Sequence, residues 1–243
     1  MSELLLNNIK EPPYMVVEAL RAIKTNITFS GTDVKTILIT SSIPGEGKST
    51  VAFDIAKSFA DAGKSVLLLD TDMRKTVLKT RLRAQKSDGH IMGLSHYLSG
   101  QAQLDEILYK TNIAHFSIIF AGPSVPDPTA LLDGQLFQQL LRTAREQFDY
   151  VIVDSPPVGS VIDSAIVSKY CDGVMLVIGH KTVHVKFIRD CIKQLEASGT
   201  RFLGAVLNKM PVKKGYGKYY GNYYGKYYGQ YYGNEAKASR VAR

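Results

Sequence analysis

The stretch that decides the fold is TILITSSIPGEGKSTVAFDIAKSFADA, residues 36 to 62. A β-rich run leads into a glycine-containing loop, residues 42 to 49, and the loop opens a helical run that stops at Gly63. Glycine allows backbone N–H groups to turn inward around phosphate oxygens, and the start of a helix adds a favourable dipole. A phosphate-binding P-loop requires this order of strand, loop and helix. We therefore predict that the chain binds ATP here.

The chemistry of phosphoryl transfer assigns roles within this loop. Lys48 is expected to reach the β- and γ-phosphates, and the Ser49 hydroxyl is expected to coordinate Mg²⁺. The first loop position is Ser42, where the P-loop pattern has glycine. The predicted nucleotide contacts are Pro44, Gly45, Glu46, Gly47, Lys48, Ser49 and Thr50.

Two further stretches place aspartates at the ends of apolar runs. LLLDTDMR, residues 67 to 74, contains Asp70 and Asp72, and YVIVDSPP, residues 150 to 157, contains Asp154. In an open α/β sheet, ligands lie at the carboxyl ends of the strands, where carboxylates hold Mg²⁺ through its waters or accept a proton. The alternative for the first pair is a capped turn before a helix. The predicted metal site consists of Ser49, Asp70, Asp72 and Asp154.

Apolar runs alternate with helical patterns along the chain. Strands are predicted at 36–40, 65–69, 117–120, 150–153, 173–178 and 202–207, and helices at 14–30, 48–62, 131–148, 162–170 and 183–197. Continuous Val, Ile and Leu runs that alternate with helices imply a mostly parallel sheet with helices on both faces. The predicted fold class is α/β, of the P-loop NTPase type.

The carboxyl-terminal end differs in composition from the rest of the chain. Nine of the 14 tyrosines lie in GYGKYYGNYYGKYYGQYYG, residues 215 to 233, and residues 213 to 243 carry a net charge of +6 of the total +8. Glycine at this density without aliphatic residues cannot build a core. We predict a lead-in arm at 1–13, a single domain at 14–211 and a disordered tyrosine-rich tail at 212–243.

The cysteine spacing and the length of the apolar runs argue against a metal site, a disulfide framework and a membrane-spanning helix. Cys171 and Cys191 lack metal-ligand or disulfide-framework spacing and are expected to be free thiols. No window approaches 18 uninterrupted apolar residues, so we expect no membrane-spanning helix.

The nucleotide-site motifs and the tyrosine tail together resemble the bacterial tyrosine kinases. The DxDxR element at 67 to 74 is similar to that family's additional Walker motif, and the DSPP ending at 154 to 157 is similar to its second motif. GLSHYLSG, residues 93 to 100, and PDPTALLDG, residues 126 to 134, resemble phrases of capsule and exopolysaccharide kinases. An E-x-x-R-x-x-R oligomerisation motif has its counterpart in Glu18, Arg21 and Lys24, with lysine in place of the second arginine.

The resemblance implies a protein-tyrosine kinase that uses MgATP and controls capsule or exopolysaccharide synthesis. It implies a ring-like homo-oligomer in which each copy phosphorylates a neighbour's tail. It also implies a membrane activator of the polysaccharide chain-length type, a phosphotyrosine phosphatase and further protein tyrosine substrates, whereas nucleic acid is not an expected partner. The chain would be cytoplasmic and recruited to the inner face of the membrane. The implied phosphoacceptors are Tyr216, Tyr219, Tyr220, Tyr223, Tyr224, Tyr227, Tyr228, Tyr231 and Tyr232.

Phosphoryl transfer depends mainly on positioning and charge neutralisation. Lys48 and Arg74 are the predicted catalytic cations, although Arg74 has the alternative role of bracing the aspartate pair. Asp70 or Asp72 is the predicted acceptor of the phenolic proton, and the sequence does not separate the two. Asn208, after the last predicted strand, is a candidate adenine contact, with a simple turn as the alternative.

Two other functions share some of these features. A ParA/MinD-like positioning ATPase would have the same fold, but it carries a lysine early in the loop where this chain has Ile43. A nucleotide-gated scaffold would use the basic aromatic tail for binding, because interleaved Tyr and Lys side chains stack on bases.

Overall fold

The computed structural model describes residues 2–87 and 89–211, so the predicted tail at 212–243 lies outside the described residues. The described strands are β1 (Ser2–Leu6), β2 (Thr36–Ser41), β3 (Val66–Asp70), β4 (Ala84–Gln85), β5 (Tyr109–Thr111), β6 (Phe116–Ile119), β7 (Tyr150–Asp154), β8 (Gly173–Gly179) and β9 (Arg201–Asn208). The described helices are α1 (Tyr14–Phe29), α2 (Lys48–Ala60), α3 (Leu78–Arg81), α4 (Leu94–Leu98), α5 (Leu104–Ile107), α6 (Pro128–Leu132), α7 (Gln135–Gln147), α8 (Asp163–Ser168) and α9 (Val185–Glu196).

The strands form one sheet in the order β4-β1-β5-β6-β3-β7-β2-β8-β9. From β6 to β9 in this order the neighbours are parallel. Antiparallel pairs occur where β5 meets β6 and where β1 meets β4. The predicted α/β class with a mostly parallel sheet is confirmed.

Two apolar layers enclose the sheet. One layer joins α1 and α2 to the sheet through residues such as Ile27, Phe53 and Phe59. The other joins α7 and α9 to it through residues such as Phe137 and Leu195. Both faces of the central strands are buried, which explains why their sequences are continuous apolar runs rather than alternating ones.

The beginning of the chain differs from the prediction. We predicted a lead-in arm at 1–13, but Ser2–Leu6 pairs with β5 and β4 as a strand of the sheet. Leu4 and Leu6 are buried while Leu5 is exposed, and this period of two is the pattern of a strand with one covered face. The compact unit therefore begins at β1 and runs to Lys209.

The predicted helix at 131–148 is two helices. Asp127 caps α6 by accepting from the N–H of Ala130, and Pro128 stands in its first turn. Gly134 then takes an extended conformation and starts α7. The Asp-Pro start signal begins α6 three residues before the predicted start, and Gly134 separates α6 from α7.

The cysteines and the apolar character of the helices were the subject of two further expectations. Cys171 and Cys191 are free thiols, as predicted. None of the helices in the described part of the chain combines the length and apolar character that crossing a membrane demands.

Candidate active site

The predicted phosphate loop and aspartates meet at one edge of the sheet. The loop connects the carboxyl end of β2 to the start of α2. Asp70 ends β3, Asp154 ends β7, and the two residues are direct partners in the parallel register of these strands. Strand β2 also pairs with β7, with Ile39 opposite Asp154. The sheet topology therefore brings Asp154 together with Asp70 and with the phosphate loop, although Asp154 follows Lys48 by more than 100 residues in the sequence.

Lys48 is surrounded by this carboxylate group. Its Nζ lies 3.0 Å from Asp72 Oδ2 and 3.5 Å from Asp154 Oδ1, and it lies 3.3 Å from Ser49 Oγ. Burial opposes the charge on Lys48, but the carboxylates of Asp154 and Asp72 outweigh burial and raise its pKa. Lys48 is therefore a fixed cation at the amino end of α2.

Asp70 is the most enclosed of the three acids. Its side chain is fully buried, with Oδ1 accepting from the N–H of Asp72 at 3.0 Å and Oδ2 accepting from the Thr76 hydroxyl. Burial, with the nearby charge of Asp154, raises the pKa of Asp70 to about 7. The hydrogen bond that Asp70 accepts from the N–H of Asp72 fixes the backbone of that residue.

Asp154 provides the strongest sign that a cation belongs here. It is 1% exposed, and in the described part of the chain its Oδ1 has no hydrogen-bond partner. Burial raises the pKa of this carboxyl, although the charge of Lys48 acts against that rise. This oxygen accepts no hydrogen bond and has Lys48 Nζ as its charge partner at 3.5 Å. A buried carboxylate oxygen of this kind beside a serine hydroxyl suits Mg²⁺, which prefers oxygen ligands.

The donor set also matches the way in which Mg²⁺ binds in nucleotide sites. Within the described ranges, no group of three or more His, Cys, Asp or Glu side chains could hold a metal ion alone. Mg²⁺ commonly takes one or two protein ligands and completes its shell with water and phosphate oxygens. The residues present fit Mg²⁺ held together with a nucleotide, and the metal roles of Ser49, Asp70, Asp72 and Asp154 stay predictions.

The loop has the backbone geometry that phosphate binding needs. Gly45 and Gly47 take positive φ angles of 85° and 93°, a region that disfavours side chains. A Cβ on Gly47 would stand 2.4 Å from Asn208 Nδ2. Among the described residues, no backbone carbonyl accepts from the N–H groups of residues 45 to 47. The predicted contacts of Pro44, Ser49 and Thr50 with nucleotide belong to this same loop and helix start.

Asn208 lies against the phosphate loop at the end of β9. Its Nδ2 donates to the carbonyl of Glu46 at 2.9 Å, and the following Lys209 donates to the carbonyl of Gly45. The position is at the edge of the predicted site, and the adenine role of Asn208 stays a prediction.

Arg74 is bound to a partner that the sequence did not indicate. Its Nε and Nη2 donate to the two carboxylate oxygens of Asp163 at 2.7 and 3.0 Å. Thr129 donates to the same carboxylate at 2.7 Å. This arrangement ties the segment after β3 to α6 and α8, and the described hydrogen bonds of Arg74 go to Asp163 and Thr129 rather than to the aspartate pair. Both the catalytic role of Arg74 and its bracing of the aspartate pair stay predictions.

Sequence reasoning missed Asp163, Thr76 and Thr182. Each is an ordinary polar residue in a loop or helix start. Asp163 and Thr182 have partners 89 and 136 positions away, Arg74 and Glu46. Thr76 donates to Asp70, six positions earlier. The side chain of Glu46 was also missed, because the loop motif concerns only backbone groups at that position.

The predicted oligomerisation residues lie on α1. Glu18 and Arg21 are away from its buried residues, whereas Lys24 borders them, four residues after Leu20 and three before Ile27. Leu20 and Ile27 are buried, whereas Val16, one turn before Leu20, is 39% exposed. Arg21 pairs with Glu18 at 2.6 Å, and both side chains are largely exposed. Lys24 is on the same helix and is half-buried. Their role in oligomerisation stays a prediction.

Comparison with known proteins supports the same fold. The family model described as "AAA domain" matches residues 34–201. The chain is 41% identical over 193 residues to the tyrosine-protein kinase CpsD of Streptococcus agalactiae, covering 79% of this chain and 83% of that protein. The kinase domain of the Escherichia coli tyrosine kinase ETK superimposes with a TM-score of 0.76 at 28% identity, covering 85% of this chain and 84% of that chain.

A positioning ATPase is a more distant neighbour. The septum site-determining protein MinD of Pyrococcus horikoshii, solved with Mg-ADP, matches with a TM-score of 0.63 at 21% identity, covering 74% of this chain and 72% of that chain. At this identity the match shows a shared fold alone.

Three findings agree on the family: the P-loop at the end of β2, the aspartates at the ends of β3 and β7, and the identity to CpsD. The chain belongs to the bacterial tyrosine-protein kinases of the capsule and exopolysaccharide type.

Proposed function

We propose that this protein-tyrosine kinase transfers the γ-phosphoryl group of MgATP to tyrosines of its own carboxyl-terminal tail, in trans between copies of the chain. The observation that carries the proposal is the position of Lys48, within 3.5 Å of both Asp72 and Asp154 at the start of the phosphate-loop helix. One cation and two carboxylates at that point suit a phosphate chain and the metal that accompanies it.

Each residue of the site has a separate role in the proposed reaction. Lys48 contacts the β- and γ-phosphates, while Ser49 and Asp154 hold Mg²⁺ directly or through its waters. Bound there, Mg²⁺ would offset the charge that develops on the phosphate oxygens. Loop N–H groups from Gly45 to Gly47 hold the remaining phosphate oxygens.

Asp72 is the proposed acceptor of the phenolic proton. Asp70 is fully buried and both of its oxygens accept hydrogen bonds from within the chain. Its hydrogen bond to the N–H of Asp72 positions that neighbour. Asp72 also accepts hydrogen bonds, from Lys48 Nζ and from the N–H of Lys75, but it is 4% exposed whereas Asp70 is 0% exposed. We propose that an incoming tyrosine reaches Asp72 from this exposed side, as general base catalysis requires.

The tail supplies the phosphoacceptors. The nine tail tyrosines begin five residues after Pro211, and an extended chain from Pro211 to Tyr232 would span roughly 70 Å. We propose that this length lets the tail reach the site of a neighbouring copy. The resemblance of Glu18, Arg21 and Lys24 to an oligomerisation motif supports a ring in which α1 contacts that neighbour.

The surroundings of the kinase follow from its family. We propose that a membrane protein of the polysaccharide chain-length type activates the chain and recruits it from the cytoplasm to the inner face of the membrane. A phosphotyrosine phosphatase would reverse the modification. Each phosphate adds about −1.5 to −2 charges, so several would reverse the +6 charge of residues 213 to 243 and switch what the tail binds. The output would be the control of capsular or exopolysaccharide synthesis.

Incubation of the full chain with labelled MgATP tests the proposal. We expect phosphotyrosine confined by mass spectrometry to residues 216 to 232, and its loss when the nine tail tyrosines are replaced by phenylalanine. Hydrolysis of ATP without phosphotyrosine in the tail would contradict the proposal. Salt-sensitive binding of single-stranded nucleic acid by the tail would favour the scaffold instead.

A further inference from the structure

Glu46 stands in the phosphate loop, but its side chain is turned into the protein. The residue is 1% exposed. In the described part of the chain no Lys, Arg or His forms a salt bridge with it. A carboxylate removed from water without a cation is costly unless hydrogen-bond donors surround it. Its role must therefore lie in the groups that donate to it.

Five donors reach the two carboxylate oxygens. Oε2 accepts from the N–H and the hydroxyl of Ser42 at 2.8 and 2.6 Å, and from the N–H of Ile43 at 3.0 Å. Oε1 accepts from the N–H of Gly179 at 2.8 Å and from the hydroxyl of Thr182 at 2.7 Å. Burial acts to raise the pKa of Glu46, but the hydrogen bonds outweigh it and hold the pKa below its usual value. Glu46 is thus an anion sustained by donors.

The donors come from two separate parts of the fold. Ser42 and Ile43 begin the phosphate loop, whereas Gly179 ends β8 and Thr182 lies in the connection to α9. The carbonyl of Glu46 is held from a third direction by Asn208 at the end of β9. Residue 46 is therefore fixed on both its side chain and its backbone, between two glycines that would otherwise leave the loop free to change shape.

We propose that Glu46 is a positioning residue: its carboxylate ties the phosphate loop to the β8–α9 connection and so sets the direction of the loop N–H groups that hold the nucleotide phosphates. The side chain itself does not touch the nucleotide. Residues Gly179 and Thr182 consequently affect phosphate binding from the next strand, without contact with the ligand. This inference rests on the nucleotide site of the proposed function.

Glu46→Gln tests the inference with little change in shape. Glutamine keeps one acceptor oxygen and turns an NH₂ donor toward groups that are themselves donors, so at least one side of the clamp is lost. We expect the dissociation constant for MgADP, measured by calorimetric titration, to rise by about tenfold or more, the order expected when a buried donor loses its acceptor. The KM for ATP should rise in parallel, in kinase assays on the same full-length chain.

Two variants serve as matched controls. Asp172→Asn alters a carboxylate that accepts from the N–H groups of Lys35 and Thr36 at 2.9 and 2.8 Å, at the opposite end of β2. It should lower the thermal midpoint and leave the affinity for MgADP within about twofold, since its donors are remote from the loop. Thr182→Val removes one donor on the β8–α9 side alone and should raise the dissociation constant about two- to fivefold.

The outcomes separate positioning from simple stabilisation. All titrations are made below the unfolding midpoint of every variant. If Glu46→Gln lowers the midpoint but binds MgADP within twofold of the unmodified chain, the inference is wrong and Glu46 only stabilises the fold. If Glu46→Gln does not fold, Thr182→Val decides: a raised dissociation constant supports the inference, and an unchanged one overturns it.

Lys48→Ala distinguishes failure of this inference from failure of the site on which it rests. Weak binding by Lys48→Ala with unchanged binding by Glu46→Gln would overturn only the positioning role. Binding of MgADP by Lys48→Ala as tight as by the unmodified chain would place the nucleotide elsewhere and overturn both.

Discussion

Two groups of charged residues in this molecule differ in their exposure to solvent. The group around Lys48 gathers Asp70, Asp72 and Asp154 at the buried edge of the sheet. The pair of Glu18 and Arg21 lies on α1 with exposed fractions of 44% and 66% for the two side chains. In the buried group, burial and neighbouring charges change the pKa values of Lys48, Asp70 and Asp154, whereas an exposed pair is screened by water and salt.

This difference in exposure indicates whether each group can act within one copy of the chain or needs a second copy. The buried group is assembled by the chain's own sheet, so its chemistry can be derived from one copy. The exposed pair contributes little to the stability of one copy, so a function for it requires a second molecule. Substitutions in the two groups should therefore separate activity, stability and assembly.

The largest effect is expected from Lys48→Ala. Removal of the cation leaves Asp72 and Asp154 without their charge partner and takes away a phosphate contact, so tyrosine phosphorylation should fall at least about 10²-fold. The measurement is the initial rate of phosphotyrosine formation at saturating MgATP.

Lys57→Ala is the control for that substitution. Lys57 lies two turns further along α2 and pairs with Asp61 at 2.7 Å on the surface. Its loss should change the rate less than twofold. Equal losses in the two variants would show that charge on α2, rather than the site, is responsible.

Asp154→Asn should lower activity while leaving stability intact or improved. The substitution weakens the hold on metal-bound water, which reduces Mg²⁺-dependent activity by about 10- to 100-fold. It also removes one of two adjacent buried carboxylates whose repulsion opposes folding. The thermal midpoint without nucleotide should therefore stay constant or rise, as measured by calorimetry. A midpoint lowered by several degrees would contradict this view of the cluster.

Arg74→Ala should destabilise the fold by about 2 kcal/mol at neutral pH, since hydrogen bonds to a buried charge are lost. Burial acts to raise the pKa of Asp163, but the bonds from Arg74 and Thr129 outweigh it and hold the pKa below 3.8. A lowered folded-state pKa means stability that is present above about 3.8 and lost as the pH falls through the folded value. Urea unfolding should therefore show a difference between the unmodified chain and the variant that is large at pH 7 and shrinks in acid.

Arg201→Ala is the matched comparison, because Arg201 forms an exposed pair with Asp33 at 3.4 Å. Its effect on the free energy of unfolding should stay below about 1 kcal/mol. A difference for Arg74→Ala that does not depend on pH would show that its ion pair with Asp163 is not the cause.

The smallest effect on stability is expected from Arg21→Ala. The exposed pair contributes about 0.3–0.5 kcal/mol as a helical neighbour, so the unfolding midpoint should hardly move. Self-association in sedimentation experiments and tail phosphorylation should both fall, while the affinity for MgADP is unchanged. Arg142→Ala, an exposed arginine on α7, should alter none of these. Unchanged association in Arg21→Ala would remove α1 from the proposed interface.

The sequence predicted the central part of the fold because long apolar runs at β2, β3, β7 and β8 leave little choice of structure. It also predicted that Lys48 and the strand-end aspartates would meet, since parallel strands end at one edge. Strand β1 was missed because three leucines in a polar segment do not by themselves indicate a strand. The segment becomes a strand by pairing with β4 and β5.

The supporting contacts could not be derived from the sequence. Asp163 binds Arg74 from 89 positions away, and Thr182 reaches Glu46 from 136 positions away. Neither spacing repeats a motif, because three-dimensional packing alone selects such partners. Glu46 is the clearest example. The loop motif predicted a role for its backbone alone, whereas the hydrogen bonds of its side chain are seen only in the structure.

A mixing experiment tests transfer between copies most directly. Full-length Lys48→Ala keeps the tail but lacks the phosphate lysine, and a chain with its nine tail tyrosines replaced by phenylalanine keeps the site but lacks acceptors. Each is incubated with labelled MgATP alone and then together, and phosphotyrosine is located by mass spectrometry. We predict phosphate on the tail of Lys48→Ala only in the mixture. Absence of phosphotyrosine in the mixture, while the unmodified chain phosphorylates itself, would contradict transfer in trans.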